Sequence, residues 1–205
     1  CHVLHQFGIQ VAKTENGYRI PGKQAYLSPG SLETEGDWSS AVFWHAANAM
    51  GHAIRMTGLN NDSCQGDRQV NEQLKNLGGE INVSQTPDSL PALASAACVY
   101  HGTTHFTGAA RLRIKESDRI TAVCNMLSIL GQPVEEEPDG LIVHGGHPFT
   151  GGVVNGCNDH RIVMAAALCA TLSDTPVTIL GAEAIQKSYP RFFDDFVMLG
   201  GNIHG

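Results

Sequence analysis

Thr103-Thr104-His105-Phe106-Thr107-Gly108 is the stretch that decides the fold, because two similar stretches occur elsewhere in the chain. Ala53–Gly58 and Pro176–Gly181 have the same form, a short run of strand-forming residues that ends in glycine. A helical segment follows each run and closes at a Leu-Gly pair, where glycine suits the left-handed end of a helix. Further short strands are predicted after these pairs, at 80–83, 133–135 and 202–204. The pattern therefore predicts a repeated α/β unit.

A second predicted helix precedes each repeated strand, at 39–50, 88–100 and 158–172. These segments are nearly all apolar and rich in alanine, so we expect them to be buried and packed against one another. The helices that follow the strands are amphipathic and should lie outside. The predicted fold class is α/β, with three pseudo-symmetric helix–strand–helix–strand units around buried helices.

Residues 1–34 stand apart from this repeat. The first residues are typical of the end of a helix already under way, and Asn16-Gly17 predicts the turn of a β-hairpin with strands Phe7–Val11 and Tyr18–Gly22. Ser28–Ser31 has the composition of a linker. We therefore predict a domain boundary between 34 and 35, and we expect the chain to be a piece of a longer protein.

Composition argues against several classes of partner. The formal net charge of −7 and the sequence pI of about 5.7 give no bulk attraction for nucleic acid or an anionic membrane. No apolar run approaches the ~18 residues of a membrane-spanning helix. The six cysteines lack CxxC spacing, which favours reduced thiols and a cytoplasmic location. The ten histidines show neither HExxH nor another paired spacing, so we predict no metal and no cofactor.

Three local basic clusters nevertheless stand out: Arg113–Arg119, Asn158–Arg161 and Lys187–Arg191. Each lies where a helix is predicted to begin, and the free N–H groups and macrodipole of a helix start favour an anion. Basic side chains there are unfavourable unless an anion is bound. If the first cluster is helical, Lys115 and Arg119 lie one turn apart on the same face. The clusters predict a small substrate with several negative charges.

The first two clusters, and Asp88 at the start of the predicted helix 88–100, also have a purely structural interpretation. The first cluster could be a solvated helix start with internal ion pairs. In the second, Asp159 could be no more than a helix cap, with Arg161 as its partner. Asp88 could likewise be a plain N-cap. The position of Arg161 at the mouth of an apolar helix favours an anion there, because an unpaired buried charge is costly. The motifs at 35–40 and 65–67 lack cations, which favours capping and hinge roles.

Taken in order, five motifs resemble one family. They are Glu-Gly-Asp-x-Ser-Ser-Ala from Glu35, Gln-Gly-Asp from Gln65, Lys-Glu-Ser-Asp-Arg from Lys115, Asn-Asp-His-Arg from Asn158 and Lys-Ser-Tyr-Pro from Lys187. Across nearly the whole chain they resemble the 5-enolpyruvylshikimate-3-phosphate synthases, or 3-phosphoshikimate 1-carboxyvinyltransferases. The resemblance implies two lobes of three α/β units each, which close on the substrates in an inverse α/β barrel fold. It implies that 35–205 is the C-terminal lobe and 1–34 the tail of a missing N-terminal lobe.

The resemblance also implies a reaction without a cofactor. In this family the carboxyvinyl group of phosphoenolpyruvate moves onto the 5-hydroxyl of shikimate 3-phosphate, and phosphate is released. The transfer needs a proton on the vinyl CH2, removal of the hydroxyl proton, and cations for a carboxylate and a phosphate. By motif, Asp88 is implied to contact shikimate 3-phosphate and to take the 5-hydroxyl proton. Lys115 is implied to contact the same substrate, and Glu116 to handle the vinyl proton.

Four further residues are implied to hold phosphoenolpyruvate. Arg119 and Arg161 match the pair that grips its carboxylate, for which the planar guanidinium is suited. His160 lies beside them, and Lys187 matches a phosphate contact and proton donor. Arg111 stands where some members carry asparagine, and we leave it out of the site.

The resemblance implies an enzyme only in the complete protein, because the substrate-binding lysine, arginine and serines of the first lobe are absent from this chain. We expect residues 1–205 to fold without catalysing turnover. The expected partners are the two substrates and the missing lobe, with no nucleic acid and no membrane. The alternatives are an enzyme like the UDP-N-acetylglucosamine enolpyruvyl transferases and a non-catalytic anion-binding lobe.

Overall fold

The computed structural model describes residues 1–204, which divide into two compact units, Cys1–Glu35 and the chain from Gly36 onward. The helices are α1 (His2–Gln6), α2 (Trp38–Ala49), α3 (Val70–Lys75), α4 (Leu90–Ala97), α5 (Arg119–Ile129), α6 (His160–Ala170) and α7 (Phe192–Met198). The strands are β1 (Ala12–Thr14), β2 (Gly17–Arg19), β3 (Glu80–Asn82), β4 (Thr103–Thr107), β5 (Val134–Glu137), β6 (Gly140–His144), β7 (Gly152–Asn155) and β8 (Val177–Leu180). Short 3-10 segments occupy Gly66–Gln69, Pro87–Ser89, Ala110–Ile114 and Ala182–Lys187.

The first unit is a short helix followed by a hairpin. β1 and β2 pair antiparallel, with Ala12 opposite Arg19. The predicted strand Phe7–Val11 is wrong, because β1 begins only at Ala12; β2 is shorter than the predicted Tyr18–Gly22, and the turn lies one residue earlier. The reason is that the side chain of Gln24 bonds both the N–H and the C=O of Gln10, at 2.7 and 3.1 Å, so the segment before β1 pairs with a side chain instead of a strand. The division between the units lies beside the predicted boundary, and the assignment of the first unit to another lobe stays a prediction.

Three helices form the core of the second unit. α2, α4 and α6 pack against one another, every residue of α4 is buried, and so is every residue of α6 up to Cys169. Frequent alanines allow the helix backbones to approach closely, and the prediction of buried, alanine-rich helices is confirmed. α3 and α7 lie outside and bury one face each. None of the helices between residues 1 and 204 is long and apolar enough to cross a membrane.

A four-stranded sheet with the order β3-β4-β6-β5 packs against α4 and α5. β3 and β4 are parallel, and the other pairs are antiparallel. The sheet turns Ile81, Phe106 and Leu141 into the core. β6 was not among the predicted strands, and it begins at Gly140, where a Cβ would lie 1.8 Å from the carbonyl oxygen of Phe106. Only glycine therefore allows β6 to lie this close to β4. β7 and β8 form a separate parallel pair.

Two predicted strands of the repeat are also wrong. Ala53–Thr57 and Asn202–His204 form no strand within the described chain. In the first segment, the side chain of Asn48 bonds both the N–H and the C=O of Ile54, at 2.7 and 2.9 Å, so this residue is satisfied without a neighbouring strand. The helix–strand–helix–strand order is complete in the middle repeat, α4-β4-α5-β5, and incomplete in the other two.

Candidate functional site

The starts of three helices meet at one place in the second unit. α4, α5 and α6 contact one another, and the segments that lead into them are Pro87–Ser89, the loop 115–118 and the turn 156–159. This packing brings together residues that are distant in sequence. The cluster contains the predicted site residues Asp88, Lys115, Glu116, Arg119, His160 and Arg161, with Lys187 at its edge.

Arg119 is the centre of this cluster, and its side chain is fully buried. It contacts Asp159 through two bonds, from Nε to Oδ2 at 2.8 Å and from Nη2 to Oδ1 at 3.2 Å. Nη1 donates to Oδ1 of Asp88 at 2.6 Å, and Nη2 donates to Oε2 of Glu116 at 2.5 Å. Burial alone would lower the pKa of Arg119, but the bonds and charges of these carboxylates raise it above its ordinary value. Arg119 is therefore a charged group held by three carboxylates.

Asp159 is fully buried and has two roles. It is the N-cap of α6, where it accepts from the backbone N–H of Arg161 at 2.9 Å, and it also accepts from the hydroxyl of Ser117 at 3.0 Å. Burial would raise its pKa, but the bonds and charge of Arg119, with those N–H and hydroxyl donors, hold it below the ordinary value. The capping role was predicted. The ion pair with Arg119, 40 residues away, was missed, and no local sequence signal points to it.

Asp88 connects the buried arginine to the other cations. Its Oδ1 lies 3.4 Å from Nζ of Lys115, its Oδ2 lies 3.7 Å from Nη2 of Arg161, and its backbone carbonyl accepts from Nη1 of Arg161 at 2.9 Å. Burial would raise its pKa, but Arg161, Arg119 and Lys115 together hold it below the ordinary value. The interpretation of Asp88 as a plain N-cap is wrong, because it lies inside the 3-10 segment Pro87–Ser89 and the N-cap residues there are Thr86 and Ser89.

The prediction that Lys115 opens α5 is also wrong. α5 begins at Arg119, with Asp118 as the N-cap accepting from the N–H of Thr121 at 3.2 Å. Lys115 has an extended backbone, so it does not lie one helical turn from Arg119. Because residues 115–118 form a loop and not a helical turn, Lys115 reaches Asp88 while Glu116 turns back to Arg119. Both side chains remain about one-third exposed, at 35% and 37%.

His160 and Lys187 both lie at the turn that starts α6, His160 as the first residue of the helix and Lys187 through a bond to Asn158. His160 is 5% exposed, and its Nδ1 has no hydrogen-bond partner among the described residues. Burial and the charge of Arg161 lower its pKa. Lys187 is exposed and donates from Nζ to the carbonyl of Asn158. It ends a 3-10 segment, so the prediction that it marks the start of a helix is wrong, since α7 begins at Phe192.

Other charged motifs are structural. Arg113 bonds Asp118 and Glu136, each at 2.9 Å, and also donates to two backbone carbonyls, which fixes the loop before α5. Asp37 caps α2 as predicted. Gln65 makes no cap bond in the segment that it begins and instead bonds the backbone of Trp38 and Gly36 at the start of α2, and the hinge role of these motifs stays a prediction.

The cluster can bind anions and move protons. It combines four cations with three carboxylates: Lys115, Arg119, Arg161 and Lys187 against Asp88, Glu116 and Asp159. Within residues 1–204, no group of three His, Cys, Asp or Glu side chains is arranged to hold a metal ion. A cavity of about 450 Å³ lies elsewhere, between α2, α6 and α7, where Trp44, Leu168 and Phe196 line it.

Solved structures share this fold. The chain superposes on EPSP synthase from Acinetobacter baumannii with a TM-score of 0.84 and 27% identity, covering 98% of this chain and 54% of that one. It superposes on the enolpyruvyl transferase NikO from Streptomyces tendae with a TM-score of 0.73 and 18% identity, covering 99% and 52%. The fold is thus that of the enolpyruvyl transferases.

Sequence comparison gives the family within that class. A family model for EPSP synthase (3-phosphoshikimate 1-carboxyvinyltransferase) matches residues 1–86 and 76–196. The 3-phosphoshikimate 1-carboxyvinyltransferase of Clostridium kluyveri is 41% identical, over 98% of this chain and 52% of its own length. The enzyme of the same name from Halobacterium salinarum is 36% identical, over 99% and 53%. The chain belongs to the EPSP synthase family, and it spans about half the length of the curated relatives it matches.

Proposed function

We propose that the protein containing this chain is a 3-phosphoshikimate 1-carboxyvinyltransferase, and that residues from about 35 onward supply its phosphoenolpyruvate-binding lobe. Residues 1–34 belong, in this proposal, to the other lobe. The reaction joins the carboxyvinyl group of phosphoenolpyruvate to the 5-hydroxyl of shikimate 3-phosphate and releases phosphate. The cytoplasmic location predicted from the cysteines is part of the same proposal.

The observation that carries this proposal is the convergence of three motifs on one buried arginine. Asp88, Glu116 and Asp159 come from three separate helix starts, and all three bond Arg119. Burying a guanidinium is costly, and it is sustained here by partners that lie 3, 31 and 40 residues away. A purely solvated helix start would need none of them.

The cations differ in how free they are to meet a substrate. Arg119 already holds three carboxylates, so an anionic substrate reaches it only when Glu116 or Asp88 turns aside. Nη1 of Arg161 donates to the backbone carbonyl of Asp88. Nη2 of Arg161 lies 3.7 Å from the carboxylate of Asp88, which is beyond hydrogen-bond length. Lys187 is exposed. Arg161 and Lys187 are therefore the first contacts we propose for the carboxylate and the phosphate of phosphoenolpyruvate.

The two partly exposed carboxylates suit different steps. The pKa of Asp88 is lowered by the surrounding cations, which favours an ionised group that accepts a hydrogen bond from the 5-hydroxyl. Glu116 has one anchored oxygen, on Arg119, and a side chain that is 37% exposed, so it can face a reacting vinyl carbon. We assign the vinyl proton to Glu116, the proton that leaves the 5-hydroxyl to Asp88, and a further contact with shikimate 3-phosphate to Lys115.

The test is phosphate release by the complete enzyme with phosphoenolpyruvate and each acceptor, in the Glu116→Gln variant and a matched control. Glu116→Gln keeps the size of the side chain but removes its acid–base function, so kcat should fall at least ~100-fold while shikimate 3-phosphate binding is kept. Glu72→Gln is the control, because Glu72 is exposed on α3 and pairs with the exposed Lys75.

The other outcomes separate the alternatives. Phosphate release with UDP-N-acetylglucosamine and none with shikimate 3-phosphate would support the other enolpyruvyl transferase. Absence of turnover in the complete protein, with ligand binding equal in the wild type and the Glu116→Gln variant, would support a non-catalytic anion-binding lobe. Residues 1–205 alone should fold and show no turnover.

A further inference from the structure

Lys187 ends a segment that packs against α6 through its buried residues Ala184 and Ile185, but Lys187 itself is exposed. It is the last residue of the 3-10 segment Ala182–Lys187, it is exposed, and the backbone leaves the segment at Ser188. A lysine side chain has four flexible carbons, so its amine is placed by whatever holds its backbone. Tyr189 lies two positions later, where the chain leaves this segment.

Tyr189 ties this segment to two helices of the lobe. Its backbone N–H donates to the carbonyl of Ile185, inside the same 3-10 segment, at 2.9 Å. Its hydroxyl accepts from Nε1 of Trp44 on α2 at 3.2 Å and donates to Oδ2 of Asp195 on α7 at 2.7 Å. A single hydroxyl thus joins a core helix, an outer helix and the segment that carries Lys187.

Aromatic packing makes this connection rigid. The ring of Tyr189 meets Trp44 edge to face at 6.4 Å and Phe192 edge to face at 5.7 Å, and Trp44 stacks on Phe192 at 5.3 Å. Trp44 and Phe192 are buried. Burial and the bond to Asp195 raise the pKa of Tyr189 to about 12, so its hydroxyl keeps the proton that it donates at neutral pH.

We propose that Tyr189 is a positioning residue for Lys187, and that its hydroxyl, held between Trp44 and Asp195, sets the amine of Lys187 beside the Asn158 carbonyl at the edge of the Arg119 cluster. The inference rests on the proposed function, in which that amine contacts the phosphate of phosphoenolpyruvate. The bonds of Tyr189 go to Trp44, Asp195 and Ile185, which lie outside the Arg119 cluster, so in this proposal it acts only through Lys187.

A double-mutant cycle in the complete enzyme tests this, with kcat/KM for phosphoenolpyruvate as the readout. Tyr189→Phe keeps the ring and removes the hydroxyl, and it should lower kcat/KM about tenfold, since a small misplacement of a binding group can cost this much. In the Lys187→Met background the same change should alter kcat/KM less than about twofold, because the amine that it positions is gone. Asp195→Asn, which keeps an acceptor oxygen, should stay near the wild type, while Asp195→Ala should match Tyr189→Phe.

The controls separate a positioning role from general damage. Tyr100→Phe removes a hydroxyl from a side chain that is 45% exposed, and it should leave kcat/KM unchanged. An equal loss from Tyr189→Phe in both backgrounds, or no loss in either, overturns the positioning role. Wild-type turnover that is insensitive to Lys187→Met overturns the proposed role of Lys187 itself, and this is measured before any tyrosine variant.

Discussion

Asp159→Ala should destabilise the second unit by about 4 kcal/mol. Asp159 and Arg119 are both fully buried, and the change removes two of the four bonds that hold the guanidinium. Breaking a buried ion pair costs about 3–5 kcal/mol, and the low end applies here because Asp88 and Glu116 keep their bonds to Arg119. The change also removes the N-cap of α6, which is worth about 1 kcal/mol.

Two companion variants separate the charge from the cap. Asp159→Asn keeps a capping side chain and loses the charge, so it should cost about 3 kcal/mol. Asp37→Ala removes the exposed cap of α2, where no ion pair is involved, and should cost about 1 kcal/mol. Urea unfolding followed by tryptophan fluorescence measures all three, because Trp38 and Trp44 are buried in the second unit. At about 2–4 °C per kcal/mol, the Tm of Asp159→Ala should fall by about 10 °C.

The reasoning is refuted if Asp159→Ala costs no more than Asp37→Ala. That result would mean that Asp159 acts only as a cap and that Arg119 is held without it. A value for Asp159→Asn equal to the wild type would lead to the same conclusion, because the charge would then contribute nothing.

Further predictions concern pH and one close backbone contact. The pKa values of Asp88 and Asp159 are lowered from 3.8 in the folded protein, so on acidification the unfolded chain binds protons at a higher pH than the folded chain. The stabilisation by these two groups is therefore complete above pH 3.8 and is lost as the pH falls through the folded pKa values. Urea unfolding between pH 2.5 and 6 measures this loss, and an unchanged pH dependence in Asp159→Asn would contradict it. The pKa of His160 is lowered from 6.5 by burial, so its ring resonances in NMR should titrate below that pH, and a midpoint above 6.5 would mean that the ring is not desolvated. Gly140→Ala should cost about 2–3 kcal/mol in urea unfolding, because the Cβ overlaps the neighbouring strand, whereas Gly79→Ala, with its nearest contact at 3.5 Å, should cost much less; equal values would refute the close approach.

Helix prediction succeeded where local rules act alone. The alanine-rich segments around 39–50, 88–100 and 158–172 lie in the core as α2, α4 and α6, because their apolar character leaves no polar face for solvent. Asp37 and Asp159 cap helices as predicted, since capping depends on residues two or three positions away.

Prediction failed where a partner distant in sequence decides the outcome. Ala53–Thr57 has the composition of a strand, but a strand needs a neighbour, and Asn48 satisfies Ile54 instead. The segment that begins at Lys115 was predicted as helix. It is a loop instead, in which Lys115 pairs with Asp88 and Glu116 pairs with Arg119.

The sequence by itself determined the class of the fold, the buried helices, the caps and the set of charged residues that form the cluster. Apolar periodicity, helix-start chemistry and the ordered motifs each depend on residues close together in the sequence. Only the tertiary structure decided that Arg119 is fully buried and bonded to Asp88, Glu116 and Asp159, and that Tyr189 links Trp44 to the segment of Lys187. The physical reason is that a buried charge or hydroxyl bonds those groups that core packing places within about 3 Å of it. Distance in space is unrelated to separation along the chain.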